Sequence, residues 1–187
     1  MKSKRIFNQI LKPYKSIVKD ITGNYTDIRV VIGKNFCCFC RDVEDLEIEI
    51  PIVEDAMGSQ AFQKKMRERL VEYGIEGDYS NEILSFLHEL GHIYTYNKFN
   101  DFIYIKATNL IIKLKTIFCN SKRITNWCYR KYFNLGLERN ADKWAMLYIK
   151  NHESQVREWE QRIAKNYVKL IPKMLDNETL QAIGYVN

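Results

Sequence analysis

The pattern that most constrains this chain is His88-Glu89-Leu90-Gly91-His92, in which two histidines lie four residues apart. On a helix, residues at i and i+4 lie one above the other, so both imidazoles can reach a single metal ion. Apolar residues at Ile83, Leu84 and Leu87 predict that this helix is buried around much of its circumference. Buried, paired histidines need a partner, and zinc is the commonest ion that accepts both. The alternative is a pair of solvent-facing histidines on a surface helix.

Glu89 follows the first of these histidines directly and is offset from it by about 100 degrees around the helix. From that position a carboxylate can deprotonate a metal-bound water without filling the coordination sphere itself. Glu89 is therefore the candidate catalytic base, with His88 and His92 as candidate zinc ligands.

A catalytic zinc site usually has a third protein ligand, and two residues are candidates for it. Glu138 begins a segment in which Ala141 and Asp142 fall on the same helical face, and the small alanine would allow close approach to the motif helix. Asp142 could then accept a hydrogen bond from the free ring nitrogen of a histidine ligand. His152 is the alternative ligand, although its polar neighbours favour a solvated helix end. Glu138 could also be an exposed glutamate, favoured near a helix start by the helix dipole.

The HExxH helix, the later Glu138-x-x-Ala141-Asp142 segment and the short sheet before them resemble the ImmA/IrrE metallopeptidases, a group of Glu-zincins. The resemblance covers about residues 46–148. It implies a cytoplasmic zinc peptidase, often of phage or mobile-element origin, that cleaves or inactivates a transcriptional repressor. It also implies that His88, His92 and Glu138 bind zinc, that Glu89 is the base and that Asp142 orients a ligand. The stretch between His92 and Glu138 is longer than is usual in that family.

The predicted fold class is α+β and zincin-like, with a small antiparallel or mixed sheet packed against a mainly helical body. We expect a single domain over residues 1–187, with a helical N-terminal segment at 1–22, a helical insertion at about 100–134 and C-terminal helices within 153–184. Strands are predicted at 28–32, 36–40 and 46–52. The third strand alternates cleanly and is placed at or near an edge, where an extended substrate could add as another strand.

Helices are predicted from apolar periodicity and from their start and stop signals. Pro13 is expected to interrupt or bend the first helix, Ser80 to cap the motif helix and Pro172 to end the penultimate one. Residues 119–135 are predicted to have less regular secondary structure. The predicted helices span residues 4–21, 60–73, 81–97, 103–117, 136–151, 153–171 and 177–183.

Composition indicates what kind of protein this is, but it does not identify an activity. The formal charge of +6 is too modest to identify nucleic acid as a partner. The N-terminus lacks a secretory signal core, and the apolar stretch 102–119 contains three lysines, too many for a membrane span. Five cysteines form no even set, and although Cys37 and Cys40 are spaced as CxxC, residues three apart in a strand point to opposite faces, which favours reduced thiols over a shared metal ion. A soluble, cytoplasmic protein is expected.

Two function classes are therefore compared. The first is a zinc peptidase acting on a protein or peptide, such as a repressor. The second is a non-catalytic module in which zinc is structural and which binds protein or DNA. The insertion could contact nucleic acid or an acidic partner, because its basic residues are interleaved with aromatic ones. Its basic residues are Lys106, Lys113, Lys115, Lys122, Arg123, Arg130 and Lys131. The alternative is an amphipathic helix with a solvated basic face and packed aromatic residues.

Overall fold

Seven helices account for most of the described residues. The computed structural model describes residues 2–23, 28–33, 37–42, 45–51, 60–96 and 98–174. The helices are α1 (Lys2–Thr22), α2 (Gln60–Glu72), α3 (Asn81–Thr95), α4 (Lys98–Ile117), α5 (Lys122–Phe133), α6 (Gly136–Asn151) and α7 (Glu153–Met174). The strands are β1 (Arg29–Gly33), β2 (Cys37–Asp42) and β3 (Asp45–Pro51).

The predicted α+β, zincin-like class is wrong for the described part of the chain, which is mainly helical. Its strands are only 5, 6 and 7 residues long. The first and third of them pair in parallel, with Ile32 opposite Ile50, where consecutive short strands had suggested antiparallel pairing. The strand positions were predicted well, but a strand's pairing partner depends on tertiary contacts that its local pattern does not contain.

The strand order β1-β3-β2 also corrects the prediction that β3 lies at or near an edge of the sheet. β3 lies between the other two strands, with β2 antiparallel on its second side. Both sides of its backbone are therefore paired, and it cannot accept an extended substrate as a further strand. Pro51 is tolerated at the last position of β3 because the ladder ends there.

One hydrophobic core joins α1, the sheet, α2, α3, α6 and α7. Tyr14 from α1 and Phe86 from α3 are fully buried, with their ring centroids 4.9 Å apart. The alternation predicted for β3 is confirmed, since Ile48 and Ile50 are fully buried while Glu47 and Glu49 are only partly so. The motif helix therefore packs within the main core.

Three helix predictions need correction. α1 is not interrupted at Pro13, and α7 passes Pro172 to end at Met174. Proline removes one hydrogen bond but its φ of about −65° is helical, so it does not by itself end a helix. The region read as less regular contains α5, whose N-terminus is capped by Ser121 accepting from the Ile124 amide at 3.5 Å.

Some expectations fall outside the described residues, among them the helix at 177–183 and the rest of the C-terminal helical region beyond 174. Within the described part, the insertion forms two helices, α4 and α5, which pack against each other. None of the described helices combines the length and hydropathy that a membrane crossing needs.

Candidate metal centre

The two histidines lie on α3, where the sequence places them. Ser80 caps the start of the helix, and its hydroxyl accepts a hydrogen bond from the Ile83 amide at 3.4 Å, as the capping pattern predicts. His88 is 2% exposed, and the His92 side chain is 13% exposed. The prediction of a largely buried motif helix is therefore confirmed, and the solvent-facing alternative does not hold.

A close approach between α3 and α6 brings Glu138 to these histidines. A Cβ atom added at Gly91 would lie 2.5 Å from the carbonyl oxygen of Ala141 and 2.9 Å from its Cα. The two backbones therefore touch at a position that only glycine can occupy without movement. Ala141 and Ala145 are both fully buried, in keeping with the predicted role of the small residues on α6.

The distances between the three predicted ligands fit one metal ion. His88 Nε2 lies 3.1 Å from His92 Nε2 and 3.4 Å from Glu138 Oε2, and His92 Nε2 lies 3.5 Å from Glu138 Oε1. In a tetrahedral zinc site with bonds of about 2.0–2.1 Å, neighbouring donor atoms are about 3.4 Å apart. Glu138 is only 3% exposed, so the alternative interpretation of Glu138 as an exposed glutamate does not hold. The group His88, His92 and Glu138 can hold a metal ion.

Asp142 supplies the second carboxylate of the centre. Its Oδ1 lies 2.9 Å from His88 Nδ1, the nitrogen that faces away from the other ligands. The expected contact between Asp142 and a histidine ligand is therefore present, although it is not aligned as a hydrogen bond. Asp142 also contacts Lys65 Nζ at 2.8 Å and Arg69 Nε at 3.5 Å. Two cations from α2 thus share the carboxylate that holds His88.

The histidines have opposite shifts in pKa without a metal. Burial and Lys65 oppose a charge on His88, but the contacts with Asp142 and Glu138 outweigh them and raise the pKa of His88 to about 9. Burial, followed by the charge on His88, lowers the pKa of His92 to about 3. His88 therefore carries the positive charge of the pair, with its Nε2 facing the neutral ring of His92 at 3.1 Å.

The two carboxylates stay ionised in spite of their burial. Burial alone would raise the pKa of Glu138 and of Asp142, but the close contacts with the charged His88, together with Lys65, lower each pKa to about 2. The centre is therefore a buried cluster with charges of both signs. Such a cluster presents anionic oxygens to a cation at neutral pH.

Glu89 is half-buried on α3 beside His88. A residue from the insertion, Tyr132 of α5, shares this side of the centre. Its hydroxyl hydrogen-bonds to Glu138, and burial together with the charges of Glu138 and Glu89 raises the pKa of Tyr132. The end of the insertion therefore contributes a neutral hydrogen-bond donor to a predicted metal ligand.

His152, the alternative third ligand, lies elsewhere. It is exposed at the C-terminal cap of α6, where its ring stacks on Tyr148 with centroids 4.2 Å apart. It is not part of the group that can hold a metal ion.

Sequence reasoning missed Lys65 and Phe62, both on α2. Phe62 packs edge-on against the His88 ring at a centroid distance of 5.1 Å. The local signal was weak, because α2 reads as a polar surface helix. Only its packing against α6 shows that one face is buried.

Comparisons with known protein families, with characterised proteins and with solved structures found no match to this chain. The resemblance to the ImmA/IrrE metallopeptidases therefore stays a prediction that rests on the motif residues.

Proposed function

We propose that this chain is a zinc-dependent metallopeptidase. The observation that carries the proposal is the convergence of His88, His92 and Glu138 at separations of 3.1–3.5 Å, with Glu89 next to the first of them. Two nitrogen donors and one carboxylate are a ligand set typical of catalytic zinc, which keeps a fourth position open.

Each residue near the centre has a distinct role in this proposal. Zinc, when bound, polarises a carbonyl group and lowers the pKa of water towards 7. Glu89 accepts the proton from the attacking water and delivers it to the departing amine. Asp142 fixes the orientation of the His88 ring. Tyr132 holds the Glu138 carboxylate in place through its hydroxyl.

The proposed substrate is a peptide bond in a regulatory protein, such as the transcriptional repressor of a phage or mobile element. This choice of substrate, and a cytoplasmic location for the enzyme, rest on the motif resemblance alone. The central position of β3 removes the strand that had been considered for substrate pairing.

A Glu89→Gln variant tests the proposed chemistry. It should retain zinc and fold but lose cleavage, because the amide cannot accept the proton. Glu82→Gln, a matched change in the first turn of the same helix, should retain both zinc and cleavage. Proteomes of cells that express each form would then reveal the cleaved protein as a fragment that is absent with Glu89→Gln.

The same pair of variants distinguishes the enzyme from a zinc-stabilised binding module. The consecutive helices α4 and α5, called here the α4–α5 hairpin, have several exposed basic residues, including Lys113, Arg123 and Arg130. This exposed positive charge favours binding to nucleic acid or an acidic protein. Unchanged cellular activity in Glu89→Gln would support that module and would contradict the peptidase.

A further inference from the structure

Lys65 is a buried lysine at the metal centre with no role in the chemistry described so far. It is 7% exposed, and its Nζ lies 2.8 Å from Asp142 Oδ1 and 3.8 Å from Glu138 Oε2. One contact is therefore to the carboxylate behind His88, and the other is to the predicted metal ligand itself.

Two aromatic rings enclose the same ammonium group. Nζ lies 4.8 Å from the ring centroid of Phe62 on α2 and 4.8 Å from that of Phe133 on α5. A buried ammonium is costly unless it is paired with opposite charge, and ring faces add a favourable cation–π interaction. The enclosure therefore holds a positive charge at a fixed place beside the centre.

The charges of the cluster explain what this ammonium does. Without Lys65, Asp142 Oδ1 would lose the ammonium group that lies 2.8 Å from it. Removing one partner of a buried ion pair is strongly destabilising, because the other partner stays buried without it. Lys65 therefore stabilises the metal-free arrangement in which the three ligands are already assembled.

The same charge acts against a bound cation. An ion held by Glu138 would share this carboxylate with Lys65 Nζ, which lies 3.8 Å from Oε2. Two cations beside one buried carboxylate repel each other appreciably, because solvent screens charges only weakly inside a protein. The repulsion is present only when the metal is bound, so it reduces affinity for the metal.

We propose that Lys65 is a resident counter-cation of the metal centre, which preserves the assembled ligands in the metal-free protein and lowers the affinity of the site for a divalent ion. This inference rests on the proposed zinc site. It predicts a centre that can lose and regain its metal without unfolding.

The test is the zinc affinity of the Lys65→Met variant, measured by competition with a chromophoric chelator. Methionine removes the charge and keeps an unbranched side chain. Zinc should bind at least about tenfold more tightly than in wild type, because the repulsion is gone. The metal-free variant should also melt at a lower temperature than metal-free wild type.

Lys64→Met is the matched control. Lys64 precedes Lys65 on α2, is 79% exposed and pairs only loosely with Glu68 at 3.9 Å. This variant should leave both the zinc affinity and the melting temperature close to wild type. If Lys65→Met does not fold without metal, Lys65→Gln provides the same test, since its amide removes the charge but can still donate to Asp142.

The outcomes separate this inference from the proposed function. If wild type binds zinc and a folded Lys65 variant binds it equally or more weakly, the proposed role of Lys65 is wrong, but the metal centre still stands. Absence of zinc binding by wild type would overturn the metal centre and the counter-cation together.

Discussion

The α3–α6 pair and the α4–α5 hairpin differ in how completely they are packed. α3 and α6 touch backbone to backbone at Gly91, and buried residues run from Ile83 to Gly91 on α3 and from Glu138 to Ile149 on α6. The hairpin leaves large apolar side chains in solvent, with Ile117 70% exposed and Leu110 59% exposed. All three predicted metal ligands lie on the packed pair. Among the hairpin residues whose side chains are described, Tyr132 and Phe133 reach the centre.

This difference indicates a division between a preformed site and an accessory element. Ligand atoms at a fixed spacing require elements that do not shift, since a displacement of about 1 Å at a reactive centre is costly. The hairpin can tolerate variation on its outer face because few contacts depend on it. Packing gives no role to the exposed apolar and basic side chains of the hairpin.

Truncating one isoleucine in each region tests the contrast directly. Ile149→Ala on α6 removes a fully buried side chain and should reduce the free energy of unfolding by about 2–5 kcal/mol. Ile117→Ala at the end of α4 should change it by less than about 0.5 kcal/mol. Urea unfolding of both variants would measure the two values, and similar losses would remove the distinction between the regions.

Gly91→Ala tests the backbone contact that brings Glu138 to the histidines. The added methyl group would force α3 and α6 apart and should cost about 1–3 kcal/mol of unfolding free energy. Because Glu138 would move with α6, zinc affinity should fall as well. Retention of wild-type zinc affinity, measured by chelator competition, would show that the ligands do not depend on this contact.

The metal-free protein should lose stability in mild alkali. Because the pKa of His88 is raised from 6.5 to about 9, its protonation stabilises the fold fully below pH 6.5, and this contribution disappears as the pH rises through 9. Zinc must displace that proton, so zinc affinity should rise over the same range. Melting temperatures recorded between pH 6 and 10 with and without zinc should therefore diverge. Parallel curves would contradict the charge assigned to His88.

Tyr132→Phe measures how much the hairpin contributes to the centre. Loss of one hydrogen bond to Glu138 should weaken zinc binding by about threefold to tenfold, equivalent to roughly 0.5–1.5 kcal/mol. Tyr129→Phe, one turn earlier on α5, is the matched control and should leave zinc affinity unchanged. Equal affinities in the two variants would mean that the hairpin makes no functional contact with the ligands.

The grouping of His88, His92 and Glu138 could be predicted from sequence, because the patterns that indicate it are local. The spacing of His88 and His92 fixes their shared face, and the pattern from Glu138 to Asp142 fixes a second face with small residues for close approach. The contributions of Lys65 and Tyr132 could not be predicted, since each depends on which helix packs beside α6. Both residues belong to segments whose own patterns indicate solvent exposure.

The fold was harder to predict from the sequence than the site was, for the same reason. Strand positions follow from alternation and turn residues, but the parallel pairing of β1 with β3 depends on the path of the chain between them. α5 was missed because its bases and aromatic residues hide the apolar period. Its cap at Ser121 was the available signal.

The most direct measurement is the zinc content of the purified protein, determined by elemental analysis after zinc loading and removal of excess metal. Wild type and Glu89→Gln should each retain about one zinc per chain, whereas His92→Ala and Glu138→Ala should retain almost none. A wild-type protein without zinc, or a Glu138→Ala variant that keeps a full equivalent, would contradict the centre described here.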